Sequence, residues 1–113
     1  MSKIKKSYDS VLLLANDLIG GKWKSRVLWH IIHGDHRFSS LKKAIPDISE
    51  KVLYTILQEL QESDLIQKEV VNDCPPKVVI YHLHQDHMEL KKLIETIGEF
   101  GLAYAKKQKI DIG

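Results

Sequence analysis

The chain has one cysteine, Cys74, three prolines, and an aromatic content of 7% over 113 residues. A single thiol excludes an internal disulfide and suits a reducing compartment, so a cytoplasmic location is expected. Three prolines, two of them adjacent, exclude a collagen-like or proline-rich chain. The longest apolar run, Val11-Leu12-Leu13-Leu14-Ala15, is too short to span a bilayer, and no small-residue cleavage site follows it. No membrane partner is therefore expected. Zinc-type cysteine spacing, a phosphate loop and a nucleophile–base arrangement are also missing, which argues against an enzyme and against a resident cofactor.

What is present is a globular composition, 43% hydrophobic, with enough chain for one core and one domain covering residues 1–113. The formal net charge of +2 is unevenly divided. Residues 1–51 carry ten basic and five acidic side chains, or +5, and residues 52–113 carry seven and ten, or −3. Such a division suits a basic face meeting a polyanion, although a mixed solvated surface has the same composition.

Spacing along the chain predicts a helix over 8–19, ended by Gly20-Gly21 as a left-handed stop. A second helix follows, with Trp23, Val27, Leu28, Ile31 and Ile32 as its apolar stripe and Gly34 as its end. Arg37-Phe38 is long enough only for a small strand or bridge. Ser39 is expected to cap a short helix from Ser40 to Ile45, and Ser49 a longer one reaching about Glu62. Runs rich in Val, Ile and Tyr at 65–71 and 77–83 read as two strands, joined through Asn72-Asp73-Cys74-Pro75-Pro76. A last helix is expected over 86–107. Two short helices with a tight turn between them, then a hairpin, make a winged helix-turn-helix: mainly α, with a small β-hairpin and extra helices at both ends. The helix-turn-helix would occupy about 39–62 and the wing about 65–83.

At this point the residues resemble the HxlR-type, MarR-like winged helix-turn-helix transcriptional regulators of bacteria and archaea. The resemblance is carried by Ile19-Gly20-Gly21-Lys22-Trp23, by Arg37-Phe38-Ser39-Ser40-Leu41 running on to Ser49, and by Leu53 to Leu65. Pro75-Pro76-Lys77, Tyr81-His82-Leu83 and Phe100-Gly101 complete it. It implies a homodimeric, one-domain regulator that binds double-stranded operator DNA. Four departures stand out. Tyr8-Asp9-Ser10-Val11 occupies the place of the N-terminal Cys-Pro of sensing members, which removes the usual thiol switch. Gln58 replaces a common Arg and Asp64 a common Gly. Leu83-His84-Gln85-Asp86-His87 stands for Leu-Thr-Glu-x-Gly, without the Thr cap. The wing strand is one residue longer.

On that reading Lys51, Tyr54, Thr55 and Gln58 face the major groove and contact bases, Gln58 suiting adenine and Thr55 a thymine methyl. Arg37, Ser39, Ser40, Lys42, Lys43, Ser49 and Lys77 are expected at the DNA backbone, where contacts position without specifying sequence. Glu50, Glu59 and Glu62 must tilt away from phosphate, and Lys22, Lys24 and Arg26 read equally well as surface charges. Val11, Leu12 and Leu14, with Leu90, Ile94, Ile97, Phe100 and Tyr104, are expected to form a two-fold interface. His30, His33 and His36, and His82, His84 and His87, are read as surface histidines, with no metal site. Alternatives are a winged helix used for protein–protein contact, or a regulator switched by a small-molecule effector or by oxidation of Cys74.

Overall fold

A serine starts the first helix. The Ser10 hydroxyl accepts the Leu12 N–H at 3.1 Å from extended backbone, so α1 spans Val11–Ile19 and does not begin at Tyr8. The computed structural model describes residues 4–72 and 74–113. After α1 the chain reverses at Gly21, whose φ of 84° is the left-handed one; Gly20 keeps a negative φ. Helix α2 spans Lys24–Ile32, and Gly34, at φ 109°, turns the chain out of it.

The expected Ser39 cap is not used. Helix α3 spans Phe38–Ala44, with Arg37 at the cap position and no side-chain capping bond. Phe38 packs against the core together with Leu41 and Ile45, and this inner spacing draws the helix start ahead of the serines. The small bridge is displaced too. His36, not Arg37-Phe38, accepts the Tyr81 N–H at 2.7 Å, and its ring Nδ1 lies 2.9 Å from the Tyr81 carbonyl oxygen.

Ser49 caps α4, Glu50–Glu62, by accepting the Val52 N–H at 3.1 Å. Asp64 then takes the left-handed turn, φ 58°. Strands β1, Ile66–Asn72, and β2, Val78–Leu83, pair antiparallel with Ile66 opposite Leu83. Val70 faces Val79 but Asn72 faces Val78, so Val71 is an extra residue. The longer wing strand is thus absorbed as a β-bulge. Beyond β2 the His84 ring Nδ1 accepts the Asp86 N–H at 3.1 Å and opens a 3-10 turn over Gln85–His87. The ring does the work of the absent Thr cap. It also delays the last helix, α5, to Leu90–Gln108, later than the expected Asp86.

Leu28 and Ile31 of α2, Leu41 of α3, and Leu53, Leu57 and Leu60 of α4 are almost fully buried and meet in one core, closed by Ile66 and Tyr81 of the hairpin. Leu90 and Ile94 of α5 belong to this core, 6% and 2% exposed. That corrects their placement at a two-fold interface: the first turns of α5 lie against its own chain. The later turns are mostly uncovered, with Ala105 in the last turn the exception. Every residue from Glu99 to Tyr104 is exposed. The radius of gyration, 15.2 Å, exceeds the roughly 13 Å typical of a chain near this length, and the projecting half of α5 helps to account for the excess.

Candidate nucleic-acid interface

Helix α4 has two chemically distinct sides. Leu53, Ile56, Leu57 and Leu60 are buried, while Lys51, Tyr54, Thr55 and Gln58 are all exposed at helical spacing on the opposite side. Gln58 Nε2 donates to the Tyr54 hydroxyl at 2.7 Å, so two of the four hold one another. The Thr55 hydroxyl donates back to the Lys51 carbonyl at 3.0 Å, which satisfies its polar end within the helix. Seen from solvent, the face offers an amide, a phenol, an ammonium and a small methyl-bearing side chain. These are groups suited to base edges.

The candidate backbone-contact residues lie on neighbouring elements. Arg37, Ser39 and Lys43 are exposed around α3, and Ser40 is half-buried. Lys42 is half-buried, and its Nζ donates to the Pro46 carbonyl at 3.4 Å. Ser49 is exposed at the cap of α4, and Lys77 is exposed beside the hairpin turn. Cys74 is exposed in that turn, and its N–H donates to the Asn72 side chain at 3.2 Å. Asp73 lies outside the described residues.

The turn between α3 and α4 is tied down by Arg26 of α2. Its guanidinium donates to both Asp47 carboxylate oxygens, at 2.9 and 3.1 Å, and this hydrogen bonding holds the Asp47 carboxyl below the usual carboxylate range. Arg26 also lies over the Trp23 ring, 5.2 Å from its centroid, as does Lys22 Nζ at 4.7 Å. Lys24 is not a surface charge. Only 5% exposed, it donates from Nζ to the Asp17 carbonyl at 2.8 Å and stands 3.3 Å from Glu59 Oε1. Glu59 is buried, 8% exposed, so it avoids phosphate by facing the core and not by tilting along the surface.

Sequence reasoning missed this pair, although a signal was there. Lys24 precedes Val27 by three and Leu28 by four, which places it within the inner stripe of α2. Glu59 follows Ile56 by three, at the border of the α4 stripe. An inward lysine requires an inward acid.

Among the described residues no group of three His, Cys, Asp or Glu side chains could hold a metal ion. The histidines have local partners instead: His30 lies 3.3 Å from Asp35, His82 3.2 Å from Glu69, and His87 3.2 Å from Glu89. No helix among the described residues is long and apolar enough to cross a membrane.

A helix-turn-helix followed by a two-stranded wing, with one polar helix face left open, defines a winged helix-turn-helix protein. The HxlR-like helix-turn-helix family model matches residues 18–109, and the chain belongs to that family. It is a transcriptional regulator of the helix-turn-helix type. The chain is 34% identical over 103 residues to YkvN of Bacillus subtilis (strain 168), an uncharacterised regulator of this type; the match covers 91% of the chain and 86% of YkvN. The crystal structure of the regulator YtcD has a TM-score of 0.76 at 34% identity, covering 86% of this chain and 98% of that one. The redox regulator HypR in its reduced form has a TM-score of 0.79 at 30% identity, covering 88% and 98%.

Proposed function

We propose that the chain acts as a homodimer on operator DNA, with α4 in the major groove and the wing turn, residues 72–77, on the flanking backbone or minor groove. The observation that carries this reading is the open face of Lys51, Tyr54, Thr55 and Gln58 on a helix whose other side is locked in the core. Gln58 and Lys51 then read bases, Thr55 presents its methyl, and Arg37, Ser39, Ser40, Lys42, Lys43, Ser49 and Lys77 line the phosphates.

Dimerisation follows from surface the chain leaves uncovered. Helix α1 has no buried residue, with Val11 80% and Leu12 76% exposed, and Leu14 half-buried. Leu18 and Ile19 of its last turn pack against the chain's own core, whereas its first turn stays uncovered. On α5, Ile97, Phe100 and Tyr104 repeat the pattern, with Phe100 73% exposed. Apolar surface at both ends of one chain suits burial against the same surface of a second copy.

The test is selection from a random duplex library by the purified protein, followed by a mobility shift on the enriched sequence. Enrichment of a two-fold-symmetric site supports the reading. Absence of any enriched sequence, with the recognition face engaged by another protein, favours the interaction module.

A further inference from the structure

Lys24 stands where three helices meet. The Asp17 carbonyl lies in the last turn of α1, where helix carbonyls lack intrahelical partners, and α1 has no basic residue of its own there. Lys24 supplies that positive charge from α2. Its ammonium also faces Glu59 Oε1 of α4, at ion-pair distance but out of hydrogen-bond alignment; that oxygen is fully buried and accepts no hydrogen bond. The two side chains are 7% and 10% exposed, so neither charge is satisfied by bulk water. On the α1 side, the Tyr8 hydroxyl donates to Asp17 Oδ2 at 2.7 Å and accepts the Lys5 N–H at 3.0 Å. A polar chain therefore runs from the segment before α1, through Lys24, to the inner side of α4.

Aliphatic packing tolerates small slips of one helix over another, and the other buried side chains of α4 itself are aliphatic. A buried ion pair does not tolerate them, because a displaced charge has no water to turn to. We propose that Lys24 and Glu59 are positioning residues that fix α4 relative to α1, and thereby set the half-site spacing the dimer accepts on DNA. The inference rests on the dimeric DNA-binding reading. In such a dimer α1 moves with the two-fold interface and α4 with the base edges, so their relative angle decides how far apart the two recognition helices stand. One base pair of spacing changes the half-site separation by about 3.4 Å and its rotation by about 35°, and a shift of that size is enough to misplace a helix in the groove.

The experiment uses duplexes that the wild-type protein selects from a random library, with the spacer between half-sites then lengthened or shortened by single base pairs. Wild type should lose about tenfold or more in affinity on a one-base-pair change, as expected when one recognition helix is rotated out of register. The double variant K24M/E59L removes both charges, so it leaves no uncompensated buried ion and should remain a folded dimer. Its preference for the selected spacer should fall to about threefold or less, as expected of a helix held by aliphatic contacts alone. A partly unfolded sample lowers affinity for every spacer equally, so the ratio between spacers reports position and not stability. If the double variant fails to fold, E59Q, which keeps the shape and an oxygen facing Lys24, should show an intermediate ratio. A folded variant with the wild-type ratio overturns the proposal, as does a wild type indifferent to spacing. If wild type selects no site at all, the DNA-binding reading fails first, and this inference with it.

Discussion

The Trp29 ring of α2 lies where a side chain on Gly98 of α5 would have to go: a Cβ there would come within 2.6 Å of the ring. Trp29 also packs against His33, with ring centroids 4.3 Å apart. Glycine lets the α5 backbone rest on an aromatic face, and that contact helps set the direction in which the rest of α5 projects. Gly98→Ala gains roughly 0.8–1 kcal/mol of helix propensity. Overpacking against the Trp29 ring, which must shift to admit the Cβ, costs about 1–3 kcal/mol. Sterics should win, so thermal unfolding of Gly98→Ala should occur several degrees below wild type. A Tm at or above wild type would mean that α5 does not press on Trp29.

Asp47 gives the fold a definite dependence on acid. Its carboxyl is held below the usual range chiefly by the Arg26 hydrogen bonds, so it favours the folded state above the ordinary carboxylate pKa, near 3.9. That contribution is lost as pH falls through the lower folded-state value. Wild type should therefore resist urea better than Asp47→Asn at pH 7, with the gap narrowing as pH falls from about 4 toward the lower folded-state value. A gap that does not narrow at all as the pH is lowered until the protein unfolds would mean that charge is not its origin.

The two ends of α5 should respond differently to substitution. Ile94 is buried within the chain, so Ile94→Ala should lower folding stability by about 2–5 kcal/mol. Phe100 is exposed in the single chain and sits on the proposed two-fold surface. Phe100→Glu should leave the secondary structure intact and shift sedimentation from twice the 13.0 kDa chain mass to one chain mass. A wild type that sediments as a monomer at micromolar concentration would contradict the dimer.

Much of the fold was legible because helix period and hairpin alternation are strong local signals. The α4 cap at Ser49 could be read from residue type and position, and the left-handed Asp64 from the glycine common there in the resembled family. The readings that failed were settled by tertiary contacts. Phe38 draws α3 two residues ahead of Ser40 because the core needs its ring. Leu90 and Ile94 look the same in sequence as Ile97 and Phe100, and only the projection of α5 past α2 separates core from surface. The open face of α4 was visible from its polar residues, whereas the Lys24–Glu59 pair joins residues 35 positions apart (59 less 24), and no local pattern links them.

In the proposed function the exposed face of α4 reads DNA sequence while neighbouring basic residues only hold the backbone. Its most direct test is the affinity of wild type, Gln58→Ala and Lys77→Ala for a wild-type-selected duplex and for random duplex, across a salt series. Gln58→Ala should lose about 1–3 kcal/mol on the selected duplex and almost nothing on the random one. Lys77→Ala should weaken binding to both and reduce the salt slope by about 0.9. Equal losses on both duplexes for Gln58→Ala, or none on either, would mean that α4 does not read bases.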